Sequence, residues 1–318
     1  MKTTAVTATD LSASVLAVPP LARRHDLTLN PEANRALIRH LEAGGVRTLM
    51  YGGNANFYHL PTSEYAATLD FLAQAVGADT WVIPSAGADY GKLMDQAAIL
   101  RTRAFPTAMA LPFGNPSNDS GVATALRRFA DALGKPIIAY VKAMGYIEPR
   151  TLGSLARDGV ICAIKYAIVR EDPSKDAYLT ELLQHVPSDL VISGIGERPA
   201  IAHWRGFGLH AFTSGSVCVA PRGSMRILES LKAGRFEHAE KIRAAYIALE
   251  DQRDQRGPIR VLHDAVTLAG IADMGPILPM VSNLEAQERA PVKAAAVALL
   301  AHDRALADLM QPACAFRT

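Results

Sequence analysis

The stretch GVICAIKYAIV, Gly159 to Val169, is short, rich in β-branched residues and apolar on both faces, which is typical of a buried strand in a parallel sheet. Its single charged residue, Lys165, lies near the C-terminal end of this strand. An apolar surrounding lowers the pKa of a lysine amine because the charged form loses its hydration. Such an amine can form a Schiff base with a carbonyl substrate. The alternative is a strand-end lysine whose amine extends to water.

On both sides of this stretch, apolar segments alternate with segments of helical periodicity. The predicted strands are SVLAVPPLAR (14–23), VRTLMYGG (46–53), TWVIPSAG (80–87), PTAMALPFG (106–114), KPIIAYV (135–141), VICAIKYA (160–167), DLVISGIG (189–196) and LHAFTSGSV (209–217). Eight strands alternating with helices favour a (β/α)8 TIM barrel over residues 1–221. The competing doubly wound sheet lacks its usual GxGxxG motif after the first strand.

After Pro221 the predicted strands stop, and residues 222–318 are helical in period and rich in Ala and Leu. We expect these residues to form a C-terminal helical extension packed on the barrel, with its first helix completing the barrel. Two earlier helices carry start signals. Asn30 is the predicted N-cap of one of them, followed by Pro31, and Thr62 or Ser63 is the predicted cap of the other.

Composition argues against several classes of function. The 33 basic and 31 acidic residues are dispersed and leave a net charge of +2, so nucleic acid is not a predicted partner. The cysteines Cys162, Cys218 and Cys314 are isolated, and neither a CxxC nor an HExxH motif occurs, so no disulfide framework or metal site is predicted. No signal peptide and no apolar run of about 18 residues is visible, which predicts a cytoplasmic protein without a membrane partner.

Two side chains at strand ends are the candidate catalytic groups. Active sites of (β/α)8 barrels lie at the C-terminal ends of the strands, where Lys165 and Tyr140 end the sixth and fifth predicted strands. Neighbouring strands lie about 4.8 Å apart, so both groups can reach one small ligand. The predicted roles are an imine-forming amine and a phenol that transfers protons. The alternative for Tyr140 is a tyrosine at the rim, bonded to backbone.

Small residues after other strands are the candidate binding groups: Gly52, Gly53, Asn54 and Asn56 after strand two, Gly194 after strand seven, and Ser214 and Gly215 after strand eight. The glycine pair after strand two lets the backbone approach a ligand, and its N–H groups can hold a carboxylate. The turn after strand eight lies where barrels of this kind often hold anions.

The chain resembles the dihydrodipicolinate synthase / N-acetylneuraminate lyase family of class I aldolases. The likeness runs from VLAVPPLARRHDLTLN (15–30) to GIADMGPILPMVSNL (270–284) and is most specific in AYVKAMGYIEPRTLGSLARDGVICAIKYA (139–167). It implies that Lys165 is the Schiff-base lysine and Tyr140 the proton-relay tyrosine. It also implies a 2-oxo acid substrate with an aldehyde partner, no external cofactor, and a homotetramer built from dimers.

Departures from the family pattern argue against dihydrodipicolinate synthesis itself. The loop after strand two reads GGNAN (52–56) in place of G-T/S-T-G-E, so these positions offer no relay hydroxyl. The arginine that the synthase uses on its second substrate is absent, and Lys142 is the candidate substitute. The aromatic residue that a neighbouring subunit lends to the synthase site falls near Phe113, which has no hydroxyl. Phe113 and Asn56 complete the candidate contacts to a second substrate.

The function predicted from the sequence is a lyase or aldolase that acts on pyruvate or a related 2-oxo acid through a lysine imine. Two alternatives stay open. One is a dehydratase that uses the same imine on a deoxy-keto sugar acid. The other is a keto-acid sensor or assembly subunit that binds the ligand without turning it over.

Overall fold

Eight parallel strands close into a barrel in which each strand pairs with its neighbours in sequence and the first pairs with the eighth. The computed structural model describes residues 1–308, so Cys314 lies outside the described residues. The strands are β1 Leu16–Ala17, β2 Thr48–Tyr51, β3 Trp81–Ala86, β4 Met109–Ala110, β5 Ile137–Val141, β6 Ile161–Tyr166, β7 Val191–Ser193 and β8 Ala211–Ser214. The predicted (β/α)8 barrel is confirmed.

Helices follow each strand and continue beyond the barrel. They are α1 Ala8–Ala13, α2 Pro31–Ala43, α3 Thr62–Ala75, α4 Tyr90–Arg101, α5 Asp119–Leu133, α6 Pro149–Arg157, α7 Ala177–Leu182, α8 Glu197–Phe207, α9 Pro221–Lys232, α10 Phe236–Arg243, α11 Ile247–Arg256, α12 Pro258–Leu268 and α13 Ala286–Asp308. Short 3₁₀ turns occupy Ser188–Leu190, Ser216–Cys218 and Ala244–Tyr246.

The start of α2 is the one that the sequence predicts. The side-chain oxygen of Asn30 accepts the backbone N–H of Ala33 at 3.3 Å, and Pro31 occupies the first helical position. Both features are favourable at a helix N-terminus, because the first N–H groups have no partner inside the helix. Gly44 caps the other end of α2.

Two other helix starts differ from the sequence prediction. Helix α3 contains Thr62 and Ser63, and the residue at its N-cap is Pro61, which makes no side-chain cap. The predicted cap at Thr62 or Ser63 is therefore wrong, because Pro61 turns the chain into the helix without a side-chain acceptor. Helix α1 was not predicted; a capping box between Thr7 and Asp10 starts it, although it is too short to show apolar periodicity.

An extra residue in β6 sets the register at the ends of β5 and β6. The pairing shifts by one residue near the start of both strands, which leaves Cys162 as the bulged residue. Beyond the bulge, Tyr140 pairs with Lys165. In an unshifted register Tyr140 would instead pair with Ile164, whose side chain points to the other face of the sheet. The bulge therefore brings the phenol and the amine to one face.

Residues 221–308 are helical apart from short connections and a longer segment, 269–285, between α12 and α13. The first of these helices, α9, packs against α10 and α13. Gly257 joins α11 to α12 with a φ of 91°, a left-handed conformation that favours glycine, and Pro258 begins α12. This junction reaches the C-terminal ends of the barrel strands, where it lines the cavity described below.

Residues 1–308 contain neither a candidate membrane-spanning helix nor a candidate metal-binding cluster. No helix in this range is both long and apolar enough to cross a membrane. No group of three or more His, Cys, Asp and Glu side chains in the same range is arranged to hold a metal ion. Cys162 is half-buried and Cys218 is buried, and both have free thiols.

Candidate active site

A cavity of about 630 Å³ opens at the C-terminal ends of the barrel strands. Its wall includes most of the predicted site residues: Gly52, Gly53, Asn54, Tyr140, Lys142, Lys165, Gly194 and Gly215. The fold thus gathers residues that lie more than 160 positions apart in sequence around one space.

Lys165 is buried in this wall, with 5% of the residue exposed. Its Nζ lies 4.5 Å from the centroid of the Tyr140 ring. Burial and, to a smaller extent, the positive charge of Lys142 together lower the pKa of this amine to about 7. A substantial fraction of the amine is therefore neutral and nucleophilic near pH 7.

Tyr140 stands beside Lys165 on the neighbouring strand and is half-buried. Burial raises the pKa of its phenol to about 12, so the phenol keeps its proton at neutral pH. A protonated phenol next to a neutral amine supplies a proton donor and a nucleophile to the same ligand.

Two glycines allow the cavity wall to pack closely. A Cβ on Gly52 would lie 2.9 Å from the Met109 side chain, and a Cβ on Gly194 would lie 2.6 Å from a backbone oxygen and 3.0 Å from Cγ of Lys165. Distances this short require the neighbours to move. The absence of a side chain at Gly194 thus leaves space for the Lys165 stem.

The turn after β2 presents unpaired N–H groups. Within the described residues, no acceptor takes the backbone N–H of Gly53 or Asn54, whereas the following turn is closed by the N–H of Asn56 donating to the Gly53 carbonyl at 2.9 Å. Successive free N–H groups form a concavity that binds anions. The Asn54 side chain donates to the Val18 carbonyl at 3.0 Å, so one of its two side-chain N–H groups is already used.

Two predicted binding residues lie outside the cavity wall. Ser214 is buried, and its hydroxyl accepts the N–H of Val217 at 2.9 Å, because alternate side chains of β8 point to opposite faces. The adjacent Thr213 lines the cavity in its place, with a hydroxyl that has no partner among residues 1–308. Asn56 is buried and donates to the Leu278 carbonyl at 3.1 Å, so its predicted contact with a second substrate is not supported.

Phe113 lies away from the cavity of its own chain. It is 40% exposed and lines a separate cavity of about 310 Å³, together with Tyr90 and Tyr146. Within one chain, Phe113 and Lys165 therefore do not face the same space.

Tyr58 is a lining residue that the sequence analysis missed. A Cβ on Gly53 would lie 3.6 Å from Cε2 of Tyr58, so this ring lies beside the turn after β2. Burial raises the pKa of the Tyr58 phenol well above its usual value. The positions 52–56 carry no hydroxyl, as predicted, but the loop supplies one two residues later.

The C-terminal helices contribute a second group of residues that sequence reasoning did not identify: Arg253, Asp254, Gly257, Pro258, Ile259, Arg260, Leu262 and Val281. These residues lie on α11, on α12 and in the segment before α13. The Gly-Pro pair at 257–258, which interrupts the helical pattern, was the one local signal of a break in this part of the chain.

The sequence profile of the Dihydrodipicolinate synthetase family matches residues 13–299. A 4-hydroxy-tetrahydrodipicolinate synthase from Chlorobium luteolum (strain DSM 273 / BCRC 81028 / 2530) is 25% identical over 229 residues, which are 70% of this chain and 75% of the relative.

Solved structures share the fold. Dihydrodipicolinate synthase from Bacillus clausii has a TM-score of 0.81 at 20% identity, covering 91% of this chain and 97% of its own. The sialic acid aldolase of Ruminococcus gnavus has a TM-score of 0.80 at 12% identity, covering 92% and 99%. The profile match over nearly the whole length confirms the resemblance seen in the sequence, and the chain belongs to the dihydrodipicolinate synthetase family.

Proposed function

We propose that this protein is a Schiff-base lyase or aldolase that acts on pyruvate or a related 2-oxo acid. Family membership supports an enzyme of the lyase or aldolase type. The observation that carries the finer proposal is the Lys165 amine, which is buried in the cavity, has a pKa lowered to about 7 and lies against the ring of Tyr140. Structural ion-pair networks also shift pKa values, but Lys165 has no acidic partner among the described residues.

In the proposed reaction the neutral Lys165 amine attacks C2 of the 2-oxo acid. Loss of water from the carbinolamine gives a protonated imine, which draws electrons from the bond between C3 and C4. That bond breaks to an enamine and a free aldehyde, or forms in the reverse direction. Water then hydrolyses the imine and restores Lys165, so the lysine takes the place of an external cofactor.

Tyr140 is assigned the proton transfers. Its phenol remains protonated at neutral pH, since burial raises its pKa to about 12. It donates to the carbinolamine hydroxyl as water leaves and to the aldehyde oxygen as the carbon–carbon bond forms. The unpaired N–H groups of Gly53 and Asn54 are assigned to the substrate carboxylate.

The proposal does not extend to dihydrodipicolinate synthesis. The Chlorobium relative carries the name of a synthase, but this chain is only 25% identical to it. Positions 52–56 supply no hydroxyl, and the second-substrate arginine implied by the resemblance is absent, with Lys142 as the candidate substitute. The tetramer and the cytoplasmic location remain predictions.

Borohydride trapping tests the proposed function. The full-length protein is incubated with pyruvate and sodium borohydride, digested, and analysed by mass spectrometry. We expect a reduced pyruvyl adduct on Lys165, which is absent in Lys165→Ala and present in the control Lys142→Gln. Pyruvate binding without an adduct would contradict the enzyme proposal and favour the sensor alternative.

A further inference from the structure

Aliphatic side chains make up much of the cavity wall beyond the reactive groups. Along the continuation of β6, Ala167 and Val169 lie two and four residues beyond Lys165, and the N–H of Ala167 still pairs with the Val141 carbonyl at 2.8 Å. Side chains two residues apart on an extended segment share a face. An apolar strip therefore leads outward from the amine, and Val169 at its end is 75% exposed.

Other elements extend this apolar wall. The lining residues include Val18, Ile195, Ile259, Leu262 and Val281, from the loops after β1 and β7, from α12 and from the segment before α13. Ile195 directly follows Gly194, which packs against the Lys165 stem. An aliphatic surface thus begins next to the amine and continues to the C-terminal helices.

The arginines in the wall are already partnered. Arg253 donates to the Ile195 carbonyl at 2.9 Å and to the Asp254 carboxylate at 3.0 Å. Arg260 donates to the carbonyls of Ser282 and Asn283, both at 3.1 Å, and forms an ion pair with Glu288 at 2.6 Å. The five hydrogen bonds of Arg260 use all of its donors, whereas Nη2 of Arg253 has no hydrogen-bond partner among residues 1–308.

Free polar groups in the described wall are correspondingly few. The free polar groups near the proposed position of the 2-oxo acid are the N–H groups of the turn after β2, Lys165, Tyr140, the Tyr58 phenol and the Thr213 hydroxyl. Of the other basic residues in the cavity wall, Lys142 has no ion-pair partner in residues 1–308. A hydroxyl placed against the aliphatic residues loses its hydrogen bonds to water, and this loss disfavours binding of a hydroxylated substrate.

We propose, on the basis of the function proposed above, that the second substrate is an apolar aldehyde with an aliphatic or aryl substituent and not a polyhydroxylated one. The cavity of about 630 Å³ is much larger than a three-carbon oxo acid requires, and aliphatic side chains bound most of the remaining space, beside Lys142 and the paired charges of Arg253, Asp254 and Arg260. The scarcity of free polar groups also weighs against a deoxy-keto sugar acid as substrate.

The proposed step is balanced. The Tyr140 phenolate left by dehydration of the carbinolamine takes a proton from C3 of the protonated imine, which gives the Lys165-bound enamine. C3 then forms a bond to the aldehyde carbon, and the π electrons of the aldehyde move to its oxygen, which takes the Tyr140 proton. Tyr140 regains a proton when water adds to the resulting imine and releases one. Water hydrolyses the resulting imine, consuming the molecule of water released when the imine formed. The product is a 4-hydroxy-2-oxo acid whose substituent lies against the apolar wall, and cleavage runs through the same steps in reverse.

Pairs of aldehydes with equal carbon number test this inference. Butanal is compared with erythrose, and propanal with glyceraldehyde, each with pyruvate and the full-length protein. The 4-hydroxy-2-oxo acid products are quantified by mass spectrometry, and Lys165→Ala gives the uncatalysed background. We expect kcat/KM at least 10-fold higher for the apolar member of each pair, since several unpartnered hydroxyls are buried with the other member.

A matched pair of substitutions tests whether the cavity wall determines the preference for apolar aldehydes. Ile259→Asn places an amide in the cavity and should reduce the ratio of kcat/KM for butanal over erythrose several-fold. Ile247→Asn introduces the same change on α11, outside the cavity, and should leave this ratio unchanged. Both variants should still form the pyruvate adduct, which shows that they fold and that Lys165 remains reactive.

The outcomes separate the two proposals. Absence of a pyruvate adduct on Lys165 overturns the proposed function itself. An adduct together with equal or faster turnover of the hydroxylated aldehydes overturns the apolar second substrate alone. An adduct without turnover of any aldehyde in the panel also overturns it.

Discussion

The two sides of the cavity differ in kind. At the strand ends, Lys165 and Tyr140 have pKa values shifted by burial and stand beside glycines that leave no room for another side chain. On the helical side, Arg253 pairs with Asp254 and Arg260 with Glu288, and most of the remaining surface is aliphatic. This contrast separates reactivity, which the barrel supplies, from selection of the second substrate, which we assign to the C-terminal helices.

The largest expected effect distinguishes the two phenols of the cavity. Tyr140→Phe should lower turnover by about 100-fold or more, because it removes the proton donor beside Lys165. Tyr58→Phe removes a second phenol from the same wall, one that lies beside the turn after β2, and should cost less than about 10-fold. The measurement is kcat with pyruvate and the preferred aldehyde.

Both tyrosine variants should still give the adduct with borohydride, although Tyr140→Phe should give it more slowly. A loss for Tyr58→Phe as large as that for Tyr140→Phe would contradict the assignment of Tyr140 as the principal proton donor. The proton transfers would then depend on Tyr58, in the loop after β2, as well as on the residues at the ends of β5 and β6.

A second prediction concerns the glycines. Gly194→Ala places a Cβ within 3.0 Å of Cγ of Lys165 and should lower the rate of adduct formation by about 10- to 100-fold, since small displacements of a reacting group are costly. Gly53→Ala adds the same methyl where the nearest atom lies 3.6 Å away, and should have a much smaller effect. Equal rates of adduct formation for the two variants would show that contact with residue 194 does not constrain the Lys165 side chain.

The parts of the site that the sequence predicted correctly are those set by local rules. Lys165 stands out as the single charge in an apolar strand, and the barrel rule places it and Tyr140 at the same end of the fold. Their pairing, however, depends on the bulge at Cys162. A bulge adds one residue without a clear sequence signal, so counting along two straight strands does not give the register.

The incorrect or missing site predictions concern residues whose positions are decided by tertiary structure. Ser214 and Thr213 are neighbours of similar polarity, and only the direction of the β8 face decides which hydroxyl enters the cavity. Ile259 and Leu262 read as ordinary apolar positions of an amphipathic helix. Their place in the cavity wall depends on how α12 docks on the barrel, which periodicity does not specify.

The stability cost of the buried amine provides a third test. The Lys165 pKa is lowered to about 7 in the folded protein, so between about pH 7 and 10.5 the unfolded chain binds more protons and stability rises with pH. Below pH 7 the full cost, a few kcal/mol, remains. Lys165→Met should therefore raise Tm at pH 6, and this gain should shrink towards pH 10.

The exposed residue Lys241 supplies the control for this measurement. Lys241→Met should leave Tm nearly unchanged at both pH values. A decrease in Tm for Lys165→Met at pH 6 would mean that the amine stabilises the fold. This result would contradict the prediction that the buried amine lowers stability.

The smallest effect expected is that of Lys142, because it is exposed and water and salt screen its charge. Lys142→Gln should raise the pKa of Lys165 and move the midpoint of the pH–rate profile for adduct formation upwards by a fraction of a unit. Lys142→Arg keeps the charge and should keep the midpoint. Because burial is the larger cause, the midpoint of Lys142→Gln should still lie far below 10.5. A midpoint near the ordinary lysine value of 10.5 would contradict this expectation. It would show that the charge of Lys142, and not burial in the barrel, is the main cause of the lowered Lys165 pKa.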